Sequence, residues 1–237
     1  MNLETSQIEE RIDEVRNEYL RRLSGGNGDL LRQVERYVTA HEGKMLRPRM
    51  LLAAAATLGE EHFHSRRTLL LATAVEMLHN ASLLHDDVID HDDTRRGQPS
   101  VNARWSIPVA VLVGDYFLAQ VMRILEEVNE QGVSQRMYET VEAMVESELL
   151  QQEVTASLRH SGTYLKIIDG KTARLFATAA ALGNPACEEY GLHFGRLFQL
   201  RDDIADGEAN EYTADLIAQE EAILATIKPV LEIHNIK

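Results

Sequence analysis

Two clusters of carboxylates stand out among the side chains that could do chemistry. The first is Asp86-Asp87-Val88-Ile89-Asp90 and the second is Asp202-Asp203-Ile204-Ala205-Asp206. In a helix, residues four apart share one face and lie about 6 Å apart along the axis. Two carboxylates about 4 Å apart repel by about 4 kcal/mol at an effective dielectric near 20, and the macrodipole at a helix C-terminus adds to that cost. A compensating cation is therefore expected, and Mg2+ suits because it binds carboxylates together with substrate phosphates.

The repetition of this cluster is more informative than either copy alone. A single acidic helix end is commonly just solvated, so one copy would say little. Both copies have the spacing Asp-Asp-x-x-Asp, and each ends a long apolar run. We therefore expect two helices that face each other across a shared metal site.

Basic side chains near these clusters have two interpretations each. Arg95 and Arg96 follow the first cluster, where they could compensate charge locally or bind an anion, since the guanidinium fork matches phosphate oxygens. Lys171-Thr172 follows Gly170, but no second loop glycine or strand precedes it, which argues against a nucleotide P-loop; the lysine and the hydroxyl could still reach a phosphate. His79 lies two turns before Asp86 and shares its face, but a histidine on a buried helix is more often a satisfied core residue than a ligand.

The elements that must position these residues are helices. Ala, Leu and Glu abound and Pro is scarce, which favours helix. A central helix is predicted from about Ser65 to Asp90, apolar nearly all round as far as Leu84, as expected in the middle of a bundle. Further helices are predicted over Thr163–Leu182, from Pro185 to the second cluster, and over Thr213–Lys237 with a bend at Pro229. A single all-α domain follows.

Composition excludes several classes of function. The chain of 237 residues has a net charge of −14, which argues against nucleic acid as a partner. The single cysteine, Cys187, excludes an intramolecular disulfide. Charges interrupt every apolar run, so no transmembrane segment is predicted, and the N-terminus lacks the features of a signal peptide. A cytoplasmic protein is expected.

Several separate segments together resemble one enzyme family, the trans-isoprenyl diphosphate synthases or polyprenyl synthetases. The resemblance runs from about Ile8 to Asp206. The segments that carry it are Gly43-Lys44-Met45-Leu46-Arg47-Pro48, His79 to Asp90 with Arg95-Arg96-Gly97, Gly114-Asp115-Tyr116, Lys171-Thr172-Ala173 with Leu175-Phe176, and Phe198-Gln199 with Asp202, Asp203 and Asp206.

The resemblance implies an isoprenoid-synthase-type helical bundle around a deep central cavity. It implies a prenyltransferase that condenses an allylic diphosphate with isopentenyl diphosphate, by Mg2+-assisted ionisation with about three ions, into an (E)-polyprenyl diphosphate. The implied metal ligands are Asp86, Asp90 and Asp202, supported by Asp87, Asp203 and Asp206. The implied contacts to the allylic diphosphate are Arg95, Lys171 and Gln199, with Thr172 near the reacting carbons. The implied contacts to isopentenyl diphosphate are Lys44, Arg47, His79 and Arg96. The small residues Ala81 and Ser82 imply an open channel and a medium- or long-chain product.

The sequence departs from the family after about residue 206. The family's further lysine, which normally touches the allylic diphosphate, has no counterpart here. One alternative is therefore a non-catalytic or impaired subunit of the same fold. Another is a His-Asp-type metal phosphohydrolase built on His79 and His85-Asp86, which explains neither the second cluster nor the arginine pair. A shortened bundle would leave apolar surface uncovered, so a homodimer is expected.

Overall fold

The computed structural model is almost entirely helical, which confirms the all-α class. It describes residues 5–25, 28–40, 43–153, 161–227 and 230. The α-helices are α1 (Thr5–Leu23), α2 (Asp29–Ala40), α3 (Leu46–Ala56), α4 (Glu60–Phe63), α5 (Arg66–Ile89), α6 (Val101–Arg104), α7 (Ile107–Val128), α8 (Gln131–Glu153), α9 (Ser161–Ile168), α10 (Arg174–Gly183), α11 (Glu188–Asp206) and α12 (Thr213–Thr226). The remaining elements are strands β1 (Thr94–Arg95) and β2 (Gln98–Pro99), a π-helix (Asp169–Ala173) and a 3-10 turn (Pro185–Cys187).

Contacts group the chain into two compact units, and the boundary falls within α3. The α5 unit comprises Glu4–Arg49 and His64–Glu130, which hold α1, α2, α5, the two strands, α6 and α7. The α11 unit includes Met50–Phe63 and Gln131–Lys237, which hold α4 and α8 to α12. Each unit contains one of the two acidic clusters. The single domain stays a prediction.

The predicted central helix is confirmed as α5. It begins after Ser65, whose side chain caps it by accepting a hydrogen bond from the Thr68 N–H at 3.1 Å. Its middle is buried on all sides, with Leu71, Val75 and Met77 at 0% exposure. The helix packs along α7 and delivers the first acidic cluster to its own C-terminal end.

A short β-hairpin follows α5, and the sequence argument did not predict it. Thr94 pairs with Pro99 and Arg95 with Gln98. The two turn residues, Arg96 and Gly97, have φ angles of 51° and 74°. Two successive positive φ values are the requirement of the tight turns that join antiparallel strands. The non-glycine residue in this turn is therefore Arg96, one of the two arginines singled out from the sequence.

The helix predicted over Thr163–Leu182 contains a widened turn. It runs as α9, the π-helix Asp169–Ala173 and α10. Gly170 lies in the π-helix so close to α8 that an added Cβ would stand 2.4 Å from Ser147 Cβ. The Ser147 hydroxyl donates to the Ile167 carbonyl at 2.7 Å, at the entrance to the widened turn. Turns of this kind are frequent at functional sites, and this one carries Lys171 and Thr172.

The C-terminal helix is shorter than predicted. α12 ends at Thr226, and the predicted bend at Pro229 lies outside the described residues. Leu216 of α12 packs in a buried cluster with Tyr164, Ile168 and Leu200. This contact fixes α12 against the helix that carries the second acidic cluster.

One helix is markedly apolar, although Asp115 interrupts it. α7 is 22 residues long and apolar enough, by length and composition, to cross a membrane. The core helix of a globular protein passes the same test, and α7 buries Val113, Phe117 and Ile124.

Candidate active site

The first acidic cluster has one carboxylate turned inward and two turned outward. Asp87 is buried, and Arg95 Nε donates to its Oδ1 at 2.7 Å. The same guanidinium contacts Asp92 at 3.2 Å. Burial raises the pKa of Asp87 above its ordinary value, while the Arg95 guanidinium opposes the rise. Asp86 and Asp90 are partly or fully exposed. Arg95 therefore compensates charge locally in this structure, which was one of its two interpretations.

Two polar residues after the hairpin hold the end of α5 in place. Asn102 Nδ2 donates to the Asp92 carbonyl at 3.0 Å and to the Asp87 carbonyl at 3.3 Å. The Ser100 hydroxyl donates to the Asp92 carbonyl at 2.6 Å. Asp87 lies in the last turn of α5 and Asp92 lies just beyond its end, so these bonds hold the segment after the helix against the helix terminus. The sequence argument missed both residues, because nothing in the spacing of a lone Asn or Ser indicates such a role.

Three of the four residues implied to hold isopentenyl diphosphate come together in the α5 unit. Arg47 Nη1 and His79 Nε2 are 3.1 Å apart. Arg96 lies against Gly43, where an added Cβ would stand 2.5 Å from its guanidinium. Burial, and then the charges of Arg47 and Arg96, hold the pKa of His79 well below its ordinary value. His79 is therefore neutral and accepts from Arg47. Lys44, the fourth residue, is exposed on the adjoining loop.

The arrangement of His79 disfavours the metal phosphohydrolase. Its Nε2 faces a guanidinium, and a nitrogen that accepts a hydrogen bond from a cation does not ligate a metal at the same time. His85 Nε2 lies 3.3 Å from the Val111 carbonyl and 3.5 Å from Asp115 Oδ1. Its ring occupies the space beside Gly114, where a Cβ would stand 2.3 Å from Nε2. The His85 ring therefore packs against the segment Gly114-Asp115.

The second acidic cluster repeats the inward and outward arrangement. Asp203 is buried, whereas Asp202 and Asp206 are exposed. Gln199 Nε2 donates to Asp203 Oδ1 at 2.7 Å, and the Tyr164 hydroxyl donates to Oδ2. The Thr172 hydroxyl donates to Gln199 Oε1 at 2.6 Å. A continuous chain of hydrogen bonds thus links the π-helix, the second cluster and α9. The sequence argument did not name Tyr164, although it lies two helical turns before Lys171.

Lys171 projects from the π-helix towards α8. Its Nζ lies 3.1 Å from Glu148 Oε2 and 3.4 Å from Gln151 Oε1. The Lys171 side chain is 29% exposed, so an incoming anion can reach it. Glu148, which was not predicted from the sequence, pairs with this lysine.

A second set of ion pairs fixes α11 itself. Arg196 makes a two-pronged contact with Asp169 of the π-helix, at 2.5 and 2.8 Å. It also reaches Glu220 of α12 at 3.4 Å, and Glu220 contacts the His193 ring at 2.5 Å. The pKa of Arg196 is raised chiefly by its hydrogen bond to Asp169. These contacts connect the widened turn and α12 to the helix that ends in the second cluster.

The donor chemistry of both clusters fits a hard divalent cation, but neither cluster is preassembled as a complete metal site. Asp86 with Asp90, and Asp202 with Asp206, each present two carboxylates four residues apart. Within the described residues, no three His, Cys, Asp or Glu side chains lie together in a way that could hold a metal ion. That the two clusters share ions stays a prediction.

The two residues implied to set product length differ in exposure. Ala81 is fully buried in α5. Ser82 is half-buried, and its hydroxyl donates to the His79 carbonyl at 2.9 Å. A larger side chain at Ala81 would overpack the core, whereas Ser82 has room towards the surface of the helix.

The helical bundle and the paired aspartate clusters define a prenyl-synthase class of protein, and comparison with known proteins agrees. The family model for polyprenyl synthetases matches residues 28–220, so the chain belongs to the polyprenyl synthetase family.

Individual relatives of this chain carry synthase names. One is the all-trans-nonaprenyl-diphosphate synthase (geranyl-diphosphate specific) of Rhodobacter capsulatus, 38% identical over 197 residues, which are 78% of this chain and 58% of that protein. Another is the octaprenyl diphosphate synthase of Haemophilus influenzae, 34% identical over 192 residues, which are 76% of this chain and 57% of that protein. The chain thus spans less than three fifths of either relative.

A solved structure of similar fold is the polyprenyl synthase of Caulobacter crescentus CB15, complexed with calcium and isoprenyl diphosphate. It has a TM-score of 0.78 and 31% identity, over 84% of this chain and 64% of that one.

Proposed function

We propose that this protein is a prenyltransferase that joins an allylic diphosphate to isopentenyl diphosphate and forms a medium- or long-chain (E)-polyprenyl diphosphate. The observation that carries the proposal is the gathering of Arg47, His79 and Arg96 beside the acidic end of α5. The neutral His79 contacts Arg47 and feels the positive charge of Arg96, so the three side chains form a cationic pocket. Such a pocket suits a phosphate or diphosphate.

The remaining residues divide between the two substrates. Arg47 and Arg96, with Lys44 on the adjoining loop, are proposed to bind isopentenyl diphosphate. Lys171 is proposed to exchange its contact with Glu148 for the allylic diphosphate, joined by Arg95 and Gln199. The Thr172 hydroxyl, oriented by Gln199 at 2.6 Å, is proposed to lie near the reacting carbons.

The reaction needs no side-chain nucleophile. The allylic C–O bond breaks and its electron pair leaves with the diphosphate. The electrons of the isopentenyl double bond then form the new C–C bond to the allylic carbon. A proton leaves the isopentenyl part, with the departed diphosphate as its acceptor. Cationic side chains that stabilise the leaving charge lower the barrier, and apolar walls exclude water that would quench the allylic cation.

Bound Mg2+ would stabilise the negative charge that develops on the leaving diphosphate. Asp86, Asp90 and Asp202 are the proposed ligands, with Asp206 in support. The calcium in the Caulobacter crescentus structure supports a divalent cation, because calcium and magnesium both take oxygen ligands. Asp87 and Asp203, whose oxygens already accept internal hydrogen bonds, are proposed to orient the segments that carry these ligands.

Incubation of the protein with Mg2+, farnesyl diphosphate and labelled isopentenyl diphosphate tests the proposal. Labelled products longer than the starter are expected, and chelation with EDTA should abolish them. Asp86→Asn should lower turnover by about 100-fold or more, since it removes a carboxylate that stabilises charge at the reacting centre. The matched control is Asp93→Asn, the same change seven residues on and outside the motif, which should stay within about threefold of the parent.

Other outcomes identify the alternatives. Binding of the diphosphates without any turnover would support a non-catalytic subunit of the same fold. Release of phosphate without elongation would support a phosphohydrolase, and the proposal would then be wrong.

Product length is tested at Ser82 rather than at the fully buried Ala81. Ser82→Phe should shift the products towards shorter chains, because an aromatic ring would narrow the channel one turn before Asp86. The control is Ser82→Ala, which removes the hydroxyl without adding volume. An unchanged product distribution for Ser82→Phe would contradict an open channel at this position.

A homodimer and a cytoplasmic location belong to the same proposal. Support for the dimer comes from exposed apolar side chains on α7, where Ile107, Leu112 and Met122 are each more than half exposed. Large exposed apolar surfaces mark interaction sites in many proteins. Sedimentation over a range of concentrations measures the assembly, and a monomer at every concentration would contradict it.

A further inference from the structure

A cavity between α1 and α2 lies outside both acidic clusters and belongs to none of the residues assigned above. It lies within the α5 unit and has a volume of about 280 Å³. Its lining combines apolar, cationic, hydroxyl and acidic side chains: Leu20, Leu23, Ser24, Arg32, Glu35, Arg36 and Thr39. This mixture is typical of sites for small organic ligands rather than of a packing defect, which would be apolar.

The polar groups of this cavity are incompletely satisfied. Glu35 is only 5% exposed, and its Oε1 has no hydrogen-bond partner within the described chain. The Arg36 guanidinium, on the next residue, makes no hydrogen bond to any described residue. Arg32 is engaged with Asp29 at 2.6 Å, an exposed pair at the start of α2. A buried carboxyl oxygen that lacks a hydrogen-bond partner lowers stability, so the unpaired Oε1 of Glu35 indicates a position where a ligand could bind.

We propose that this cavity binds a small amphipathic anion, a phosphate or sulfate ester on a short hydrocarbon body. Arg36 and Arg32 hold the anionic group, and the hydrocarbon lies along Leu20 and Leu23. Glu35 takes part in its protonated form, which does not repel the anion. The inference does not depend on the proposed catalytic activity.

The volume sets the size of the ligand. At about 30 Å³ for each water molecule, the cavity holds about nine waters. A ligand of about ten non-hydrogen atoms therefore fits, such as a tetrahedral oxyanion ester with five or six carbons. A full polyprenyl chain does not fit.

Proton uptake should accompany binding. Burial raises the pKa of Glu35 to about 7, against the lowering effect of Arg32 and Arg36. From α7, the Tyr116 phenol interacts with Glu35 and stays neutral, since its own pKa is raised by burial and by that carboxyl. α1 and the residue that follows it contribute Leu20, Leu23 and Ser24 to the lining of the cavity, and none of these side chains titrates. Glu35 is therefore the group that changes charge near neutrality, and a bound anion favours its protonated form.

Hexyl sulfate is a suitable probe because its size, about 11 non-hydrogen atoms in one sulfate group and a six-carbon chain, matches the cavity. Its charge does not change near neutral pH. Calorimetric titration of the full chain in EDTA should show one site. Affinity should fall by about 30-fold from pH 6 to pH 8.5, because only the protonated fraction of Glu35 accepts the anion and its pKa is about 7. Hexanol and inorganic sulfate, which each lack one half of the ligand, should bind at least about tenfold more weakly.

Variants separate this site from the proposed active site. Arg36→Gln should weaken hexyl sulfate by about tenfold or more, and Glu35→Gln should keep the affinity while removing its pH dependence. The matched control is Arg47→Gln, the same change in the proposed isopentenyl diphosphate pocket, which should leave hexyl sulfate binding unchanged. If Arg47→Gln abolishes binding and Arg36→Gln does not, the probe occupies the catalytic pocket. The inference is then wrong while the proposed function stands.

Competition identifies the source of the natural ligand. Displacement of hexyl sulfate by isopentenyl monophosphate would identify a free isoprenoid phosphate. Displacement by phosphatidylcholine vesicles that contain phosphatidic acid would identify a lipid headgroup. Displacement by neither contradicts the proposal.

Discussion

Removal of a single hydroxyl group tests the hydrogen-bond chain behind the second acidic cluster. Tyr164→Phe leaves Asp203 Oδ2 without its donor, while Gln199 Nε2 still donates to Oδ1 at 2.7 Å. A buried acceptor that loses its partner costs about 1–3 kcal/mol, and bonds to charged groups lie in the upper half of that range. Because Asp203 is only 7% exposed, water replaces the hydroxyl poorly. We therefore expect a loss of about 2 kcal/mol in the free energy of unfolding.

The assay is thermal and urea unfolding followed by circular dichroism. For a chain of this length, about 2 kcal/mol corresponds to a fall of about 4–8 °C in the melting temperature. The control is Tyr138→Phe, the same chemical change at a tyrosine of α8 that is 53% exposed, which should stay within about 0.5 kcal/mol of the parent. Asp203→Asn and the double variant complete a cycle, in which a coupling of at least about 0.5 kcal/mol is expected.

Two results would refute this reasoning. One is a Tyr164→Phe variant as stable as the Tyr138→Phe control. The other is additivity, in which the double variant loses the sum of the two single losses and the hydroxyl and carboxylate prove independent.

Two further predictions concern the α5 unit. The hydrogen bond from Arg21 chiefly holds the pKa of Glu18 at about 2, below its ordinary 4.5, so Glu18 contributes stability above pH 4.5 that is lost as the pH falls towards 2. Glu18→Gln should therefore cost about 3 kcal/mol at pH 7 and about half of that at pH 3, measured by urea unfolding; a cost independent of pH would contradict the ion-pair origin. Gly114→Ala should lower the free energy of unfolding by about 1–3 kcal/mol because its methyl group would displace the His85 ring. The control Gly132→Ala, whose methyl meets no atom within 4 Å, should be neutral or stabilising, and equal effects at the two glycines would be inconsistent with the contact.

The helices were predictable because their signals are local. The apolar run before Leu84, the caps and the glycines that end helices act within one or two turns, so the sequence indicated α5 almost to the residue. The π-helix was not predictable. It depends on the close approach of α8 to Gly170 and on the donation from Ser147 to Ile167, and both contacts join segments some 20 residues apart.

The sequence indicated which residue types belong to the candidate site, but it did not indicate which side chains they contact. The Asp-Asp-x-x-Asp spacing places the first and last carboxylates on one face of a helix, and the middle one is turned away from them by about 100° because it is one residue further along. The identity of the inward partners follows from tertiary contacts. Arg95 on the hairpin donates a hydrogen bond to Asp87. Tyr164 on α9 donates to Asp203, although the two residues are 39 positions apart in the chain.

The two-residue turn of the hairpin distributes two neighbouring charges. Arg95 ends the strand and reaches back to Asp87, whereas Arg96, in the left-handed conformation, lies against Gly43. The tight turn therefore directs two consecutive guanidinium groups to different places: one contacts the acidic end of α5, and the next joins the cationic pocket. Insertion of one residue after Arg95 would change the direction in which the next guanidinium leaves the hairpin, so the contact of Arg96 with Gly43 depends on the length of this turn.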